Sequence, residues 1–292
     1  MPMQKDDYPA LYLDADKASN SAQRRYLSLV RAEYALLFIA AVLGLQWSSS
    51  TYYDIGYALV FVLAATMLLI RSFKKPEQTW YRCRALAESV KTSTWRYMMR
   101  ADPFLDAESI QEPRSGFRNY LREILKANRE VGEALASGSS AEDQVSSAMD
   151  TTRSYSLEKR KLYYRKNRIQ EQRTWYNSRA NDNKKAFRRW VIATVGVYVV
   201  AILSVLVRIG KPGWGPIPTD PLIVLAASLV GWIQIRKFSE LASSYTLTAH
   251  EIGITLGRLE EVQTESEFSE FVNESELAFS REHTQWVARQ NE

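Results

Sequence analysis

Few residues in this sequence have side chains that could do catalytic chemistry. Its 292 residues include two histidines, His250 and His283, and one cysteine, Cys83. Neither histidine has another histidine or a cysteine at metal-ligand spacing, and no base can be identified for the cysteine. The glycines between 210 and 215 are interrupted by a proline, so they do not form a phosphate loop. The sequence therefore predicts no enzyme, no catalytic or metal site and no bound cofactor.

A basic run between Lys159 and Arg189 also contains aromatic residues. Cations can hold phosphates while aromatic rings stack on bases, so one interpretation is a contact site for an anionic nucleotide. The candidate contacts are Arg165, Arg168, Arg173 and Trp175. The other interpretation is a positive anchor beside anionic lipid with a solvated helix face. Charge spread over many turns and around the whole helix favours the anchor. No DNA or RNA partner is expected.

Four windows that are almost free of charge separate the polar regions. They are Tyr34–Trp47, Ile55–Ile70, Trp190–Val207 and Leu222–Ile235. A helix needs about 20 mostly apolar residues to cross the hydrocarbon core. The first and fourth windows are shorter, but each has an uncharged polar extension and a brief connection to a longer window. The predicted spans are therefore residues 34–53, 55–70, 190–207 and 218–235.

These windows predict an all-α membrane protein with two transmembrane helical hairpins and long cytoplasmic helices that form a stalk or bundle. A soluble bundle with two buried hairpins is the alternative. The stretch from Val191 to Val207 argues against it, because this stretch is apolar almost all round. Lysines and arginines flank the outer ends of both hairpins, whereas the first connecting loop has none and the second has only Arg208 and Lys211. The positive-inside rule then predicts a multi-pass protein of the inner membrane with both termini in the cytoplasm.

The two halves of the chain share one plan, in which a basic helix, a hairpin and a long helix follow one another. We predict an N-terminal unit over residues 1–136, a linker over 137–152 and a C-terminal unit over 153–292. Tyr155, Leu162, Ile169 and Tyr176 recur every seven residues without glycine or proline between them. This pattern predicts one continuous helix from Tyr155 to Val207, on the order of 80 Å long.

The predicted membrane helices carry two patterns of small or weakly polar residues. Thr194, Val197, Ala201, Ser204 and Arg208 share one face of the third helix and are candidate pore-lining residues. Ala40 with Gly44, and Ala227 with Gly231, have the spacing that permits close helix packing. Packing within a four-helix bundle is the simpler interpretation of both patterns. No intramembrane acid or base marks an ion relay, which argues against an active transporter.

Two helical segments resemble a known family. The segment from Arg84 to Tyr97, followed by Asp102, Pro103 and Phe104, resembles the helix after the hairpin in one class of SLATT domains. The segment from Glu276 to Trp286 resembles the closing motif of a second class. Tandem SLATT proteins have both classes in this order, so the resemblance covers nearly the whole chain.

The resemblance implies a two-helix membrane effector of a bacterial conflict or antiphage defence system. Such effectors are proposed to form pores or disrupt the membrane when a nucleotide signal or partner protein triggers them from the cytoplasm. The implied partners are the lipid bilayer, further copies of the chain, and a cytoplasmic sensor protein or nucleotide second messenger. The alternative is a non-conducting membrane scaffold that organises cytoplasmic partners.

Overall fold

The computed structural model describes residues 3–106, 109–135, 143–211 and 213–288. In these ranges the protein is helical and has no β-strand, which confirms the predicted all-α class. The α-helices are α1 (Ala10–Leu43), α2 (Thr51–Lys74), α3 (Pro76–Met99), α4 (Gln111–Ala127), α5 (Ser147–Arg153), α6 (Leu157–Tyr164), α7 (Gln170–Gly210), α8 (Thr219–Arg236), α9 (Phe238–Arg258) and α10 (Glu265–Ala288).

Four helical stretches are long and apolar enough to cross a membrane; they contain the second, third and fourth predicted windows and the first window up to Leu43. The first predicted span, 34–53, is wrong at its end, because α1 stops at Leu43 and α2 begins at Thr51. Gln46 adopts a left-handed backbone between them, with a φ of 56°. The Tyr53 hydroxyl donates a hydrogen bond of 2.5 Å to the Leu43 carbonyl. The Leu43 carbonyl also accepts a hydrogen bond of 3.1 Å from the Gln46 amide, so the polar extension is the hairpin turn.

The predicted stalk is confirmed as one continuous helix, Leu157–Gly210, with a π-helical turn at Arg165–Ile169 between α6 and α7. A π turn holds one more residue than an α-helical turn, so it shifts the helix faces by one position. Ile169 is fully buried, but Leu162, seven residues earlier, is 65% exposed. Arg160 is fully buried instead. The predicted heptad is therefore wrong before the π turn.

The chain forms two compact units, each made of discontinuous segments. The polar unit contains Met1–Arg24, Pro76–Tyr176 and Leu247–Glu292, and the membrane unit contains Arg25–Lys75 and Asn177–Thr246. Both hairpins belong to the membrane unit. Each hairpin is followed by a lysine with a left-handed backbone, Lys75 with a φ of 41° and Lys237 with a φ of 47°. This conformation ends a helix, and in both halves the next helix starts at the following residue.

The segment predicted as a linker is described in part. Residues 137–142 lie outside the described residues. Further along, Ser146 caps α5 by accepting a hydrogen bond from the Met149 amide, and the Ser146 hydroxyl donates to the Asp7 carbonyl at 2.7 Å. Met149 is fully buried. The last part of this segment is therefore packed into the polar unit.

Candidate functional site

Three buried arginines lie at the centre of the polar unit. Arg153, Arg160 and Arg168 are 2%, 0% and 1% exposed. They follow one another at intervals of seven and eight residues along α5, α6 and the π turn. A charge removed from water is costly unless it is paired and hydrogen-bonded. The partners of each arginine therefore show which parts of the chain it holds together.

Arg153 and Arg160 both cap the carboxyl end of α3. Nη1 of Arg153 donates to the Tyr97 carbonyl at 2.6 Å and to the Phe104 carbonyl at 2.8 Å. Nη1 of Arg160 donates to the Met99 carbonyl at 2.7 Å. The last carbonyls of a helix lack intrahelical partners and carry partial negative charge, so guanidinium groups stabilise them.

Arg160 also links this helix end to the start of α10, because its Nη2 forms an ion pair with Glu265. Two hydrogen bonds between Thr264 and Glu267 mark the same start. The Glu267 amide donates to the Thr264 hydroxyl at 3.3 Å, and the Thr264 amide donates to the Glu267 carboxylate at 3.0 Å. This reciprocal pair is a capping box, and it fixes where α10 begins.

Arg168 forms a two-pronged ion pair with Glu276 of α10. Its Nε and Nη2 donate to the two carboxylate oxygens at 2.8 Å and 2.6 Å. Glu276 is fully buried and also accepts a hydrogen bond of 2.9 Å from the Tyr164 hydroxyl. Nη2 of Arg168 lies 3.7 Å from a Glu88 carboxylate oxygen. Burial alone would lower the pKa of Arg168, but the Glu276 carboxylate outweighs this and the pKa is raised. The guanidinium therefore stays charged.

Aromatic side chains from both halves of the chain enclose this ion pair. The Arg168 guanidinium lies 5.9 Å from the ring centroid of Trp95 and 5.2 Å from that of Phe279. Trp95 packs edge-on against Tyr164 at 5.8 Å and donates a hydrogen bond of 3.1 Å to the Tyr8 hydroxyl. Segments far apart in the sequence therefore meet at one dry, charged centre.

The candidate anion contacts do not share one surface. Arg168 points into the polar unit, where Glu276 neutralises it, so it is not available to an external anion. Arg165 pairs with Glu260 at 3.3 Å, and Arg173 is exposed. Trp175 packs edge-on against Tyr176 at 4.9 Å. The basic run thus contains two buried charges, Arg160 and Arg168, and several charges on the surface.

Tyrosine side chains of the membrane unit fill the space beside two of the predicted packing glycines. A Cβ atom at Gly231 would lie 3.1 Å from Cζ of Tyr34, and one at Gly44 would lie 3.1 Å from the Tyr57 hydroxyl oxygen. Ala40 is 3% exposed. Ala227 lies on the exposed face, whereas its neighbour Ala226 is 2% exposed and takes the packed position. The contact between Gly231 and Tyr34 joins the two hairpins.

Four of the five candidate pore-lining residues lie on the less exposed face of the third membrane helix. Thr194 is 5% exposed, and its hydroxyl donates to the Trp190 carbonyl at 2.9 Å. Val197, Ala201 and Ser204 are half-buried, and Arg208 is exposed. Several large aliphatic residues on the rest of the helix are at least half exposed: Ile192, Val195, Val199, Ile202 and Leu206. In the single chain, the stripe is therefore less exposed than the aliphatic residues beside it, except at Arg208.

Sequence reasoning missed the arginine centre because it interpreted a charge run as surface. The interval of seven and then eight residues between the buried arginines was a usable signal, because the extra residue coincides with the π turn. His250 is exposed. The side chain of His283 lies outside the described residues. No cluster of three or more metal-ligating side chains occurs in residues 3–106, 109–135, 143–211 and 213–288.

Comparison with known proteins gives two matches in tandem. Residues 9–161 match the SMODS and SLOG-associating 2TM effector domain 3, and residues 164–286 match domain 1 of the same series. No curated protein and no solved structure matches the chain. The border between the two matches falls inside the continuous helix, between Arg160 and Arg168. The chain therefore belongs to the SLATT family and carries two of its 2TM effector domains in tandem.

Proposed function

We propose that this protein is a triggered membrane effector of a bacterial defence system, and that it opens or disrupts the inner membrane. The trigger is a nucleotide signal or a partner protein that acts on the polar unit from the cytoplasm. Both termini face the cytoplasm, and several copies of the chain assemble in the bilayer. Support comes from the family, whose members are two-helix membrane effectors, and from the four apolar helices.

One observation carries the proposal, namely the unbroken helix Leu157–Gly210. Its first part holds Arg160 and Arg168, which pair with Glu265 and Glu276 of α10. Its last part is the third apolar window. A rigid helix transmits a shift at one end to the other, so a change in the packing of α10 would move a membrane helix. The pairs Arg160–Glu265 and Arg168–Glu276 thus hold α10 in place in the resting state, and we call them the latch.

The energetics of a buried ion pair suit such a latch. Desolvation offsets most of the attraction between the two charges, so an intact pair adds little net stability. Loss of one partner leaves a buried charge and costs about 3–5 kcal/mol. A trigger that draws Glu276 away from Arg168 would therefore release α10 in a single step.

The packing of the membrane unit supports a second candidate function, a non-conducting scaffold. In the weakly polar stripe of the third helix Thr194 is buried, Val197, Ala201 and Ser204 are half-buried, and the hydroxyls of Thr194 and Ser204 bond to their own helix. A conducting path along this stripe requires the membrane helices to separate. A scaffold needs no such movement and would present the polar unit to partners.

Potassium efflux from liposomes separates the two functions. The wild-type protein should leak slowly without its trigger, and Glu276→Gln should leak quickly because it breaks the buried pair. Glu274→Gln is the matched control, since Glu274 is 49% exposed on the same helix and pairs with Arg258 on the surface. The double variant Arg168→Met/Glu276→Met removes both charges and should leak as slowly as wild type. Equal, slow efflux from all four proteins, all inserted normally, would support the scaffold.

A further inference from the structure

Two arginines and a tryptophan meet at the end of the membrane unit that lies opposite the hairpin turns. Arg31 precedes the first apolar window, and Arg236 follows the fourth. Their guanidinium carbons lie 5.1 Å and 5.8 Å from the ring centroid of Trp232. Trp190, at the start of the third window, packs edge-on against the same ring, with centroids 6.3 Å apart. Three membrane helices thus bring two cations to one indole ring.

The positive charge of this cluster is not balanced by the described part of the chain. Neither Arg31 nor Arg236 forms an ion pair with a described residue. Glu33, the acid nearest to Arg31 in sequence, pairs with Arg71 at 3.3 Å. Two like charges near one ring repel each other, and a bound anion would offset that repulsion.

Trp232 supplies a third observation, independent of the charges. Its indole Nε1 is buried and has no hydrogen-bond acceptor among the described residues. A buried donor without a partner is destabilising, so such a group in a native protein calls for an acceptor. The cluster therefore offers two guanidinium groups and one free N–H. A phosphate group has the charge and the oxygen atoms to accept from all three.

We propose that this cluster, Arg31, Trp232 and Arg236, binds the phosphate of an anionic phospholipid. The two arginines lie at the borders of apolar windows, where long side chains reach out to lipid headgroups. Tryptophan rings concentrate at the same depth of a bilayer. The large aliphatic side chains that the membrane helices expose would contact the acyl chains of the bound lipid. A soluble nucleotide shares the phosphate chemistry but would leave these apolar contacts unused.

Native mass spectrometry of the full-length protein tests the site. Protein in neutral detergent is titrated with phosphatidylglycerol, phosphatidylcholine or ATP, and bound molecules are counted. Arg31→Gln/Arg236→Gln should weaken phosphatidylglycerol binding about 30-fold, because each cation near an anionic surface contributes about fivefold. Arg208→Gln is the matched control, an exposed arginine at the other end of the third apolar window, and should bind as wild type does. Trp232→Phe keeps the ring but loses the N–H, so it should bind more weakly than wild type.

The double lysine variant controls for misfolding, and the ATP titration controls for binding of a different phosphate compound. Arg31→Lys/Arg236→Lys keeps both charges and should retain most of the binding, which a purely structural role for the guanidinium groups would not allow. Phosphatidylglycerol binding by the double glutamine variant equal to that of Arg208→Gln would overturn the proposal. ATP binding as tight as that of phosphatidylglycerol, and lost in the same double variant, would overturn the assignment to lipid.

Discussion

Replacement of Glu276 by glutamine tests how α10 is held. The Glu276 carboxylate accepts hydrogen bonds from Nε and Nη2 of Arg168 at 2.8 Å and 2.6 Å and from the Tyr164 hydroxyl at 2.9 Å. A glutamine amide places its NH₂ group against one of these donors and leaves the Arg168 charge without its close partner. Breaking a fully buried pair costs about 3–5 kcal/mol. Glu88, 3.7 Å from Arg168, still offsets part of the charge. We therefore expect a loss of about 3 kcal/mol, near the low end of that range.

Hydrogen exchange of the α10 amides in the full-length protein measures this loss locally. Exchange through helix opening follows the opening equilibrium, and 1.4 kcal/mol corresponds to a factor of ten. Glu276→Gln should therefore speed exchange in α10 by roughly 100-fold. Glu274→Gln breaks a pair whose side chains are 49% and 58% exposed, and such surface pairs contribute less than about 1 kcal/mol. It should speed exchange by less than about fivefold.

A double variant separates the charge from the packing. Arg168→Met/Glu276→Met places two apolar side chains beside Trp95 and Phe279, and replacement of a whole buried pair in this way is often neutral or stabilising. Exchange in α10 should then be as slow as in wild type or slower. If the α10 amides exchanged no faster in Glu276→Gln than in Glu274→Gln, the buried ion pair would not hold α10, and the latch hypothesis would be wrong.

Three further predictions concern packing, topology and the single cysteine. Gly231→Ala should lower the free energy of unfolding in mild detergent by about 1–3 kcal/mol, because the new Cβ meets the Tyr34 ring. A Cβ at Gly196 meets nothing within 4 Å, so Gly196→Ala should leave the free energy of unfolding unchanged. In intact cells, a cysteine introduced by Ser49→Cys should react with an impermeant maleimide, and one introduced by Ser115→Cys should not; labelling at the second site would reverse the topology. The Cys83 thiol is 0% exposed, and burial raises its pKa to about 11. The thiol should therefore stay unlabelled at pH 8 until the protein is denatured.

Local signals in the sequence predicted the helices well. Charge-free windows identify membrane helices because hydrophobicity along one segment decides insertion, and each of the four candidate spans holds all or most of one window. The end of the first span was misplaced because Tyr53, on the next helix, satisfies the carbonyl at Leu43. That hydrogen bond depends on the fold of the turn, which a hydropathy pattern does not contain.

Long-range contacts explain why the candidate site was misjudged. Arg168 lies in a run of positive charge, and such runs are usually on a surface. Its partner Glu276 is 108 positions away, so no local pattern joins them. The π turn also moved Leu162 out of the core and Arg160 into it. Residue types alone show which side chains are charged, but only the tertiary structure determines which of these side chains are buried.

The discontinuity of the polar unit has a consequence for the order of biosynthesis. Its three segments are separated in the chain by the two hairpins, and α10 belongs to the last segment. A ribosome therefore delivers both hairpins to the membrane before Glu276 emerges. Until then Arg168 lacks its carboxylate, and the aromatic rings around it lack the cover of α10. A nascent chain that stalls before α10 would expose these groups to quality-control proteases. The polar unit can therefore be completed only after both hairpins have been synthesised.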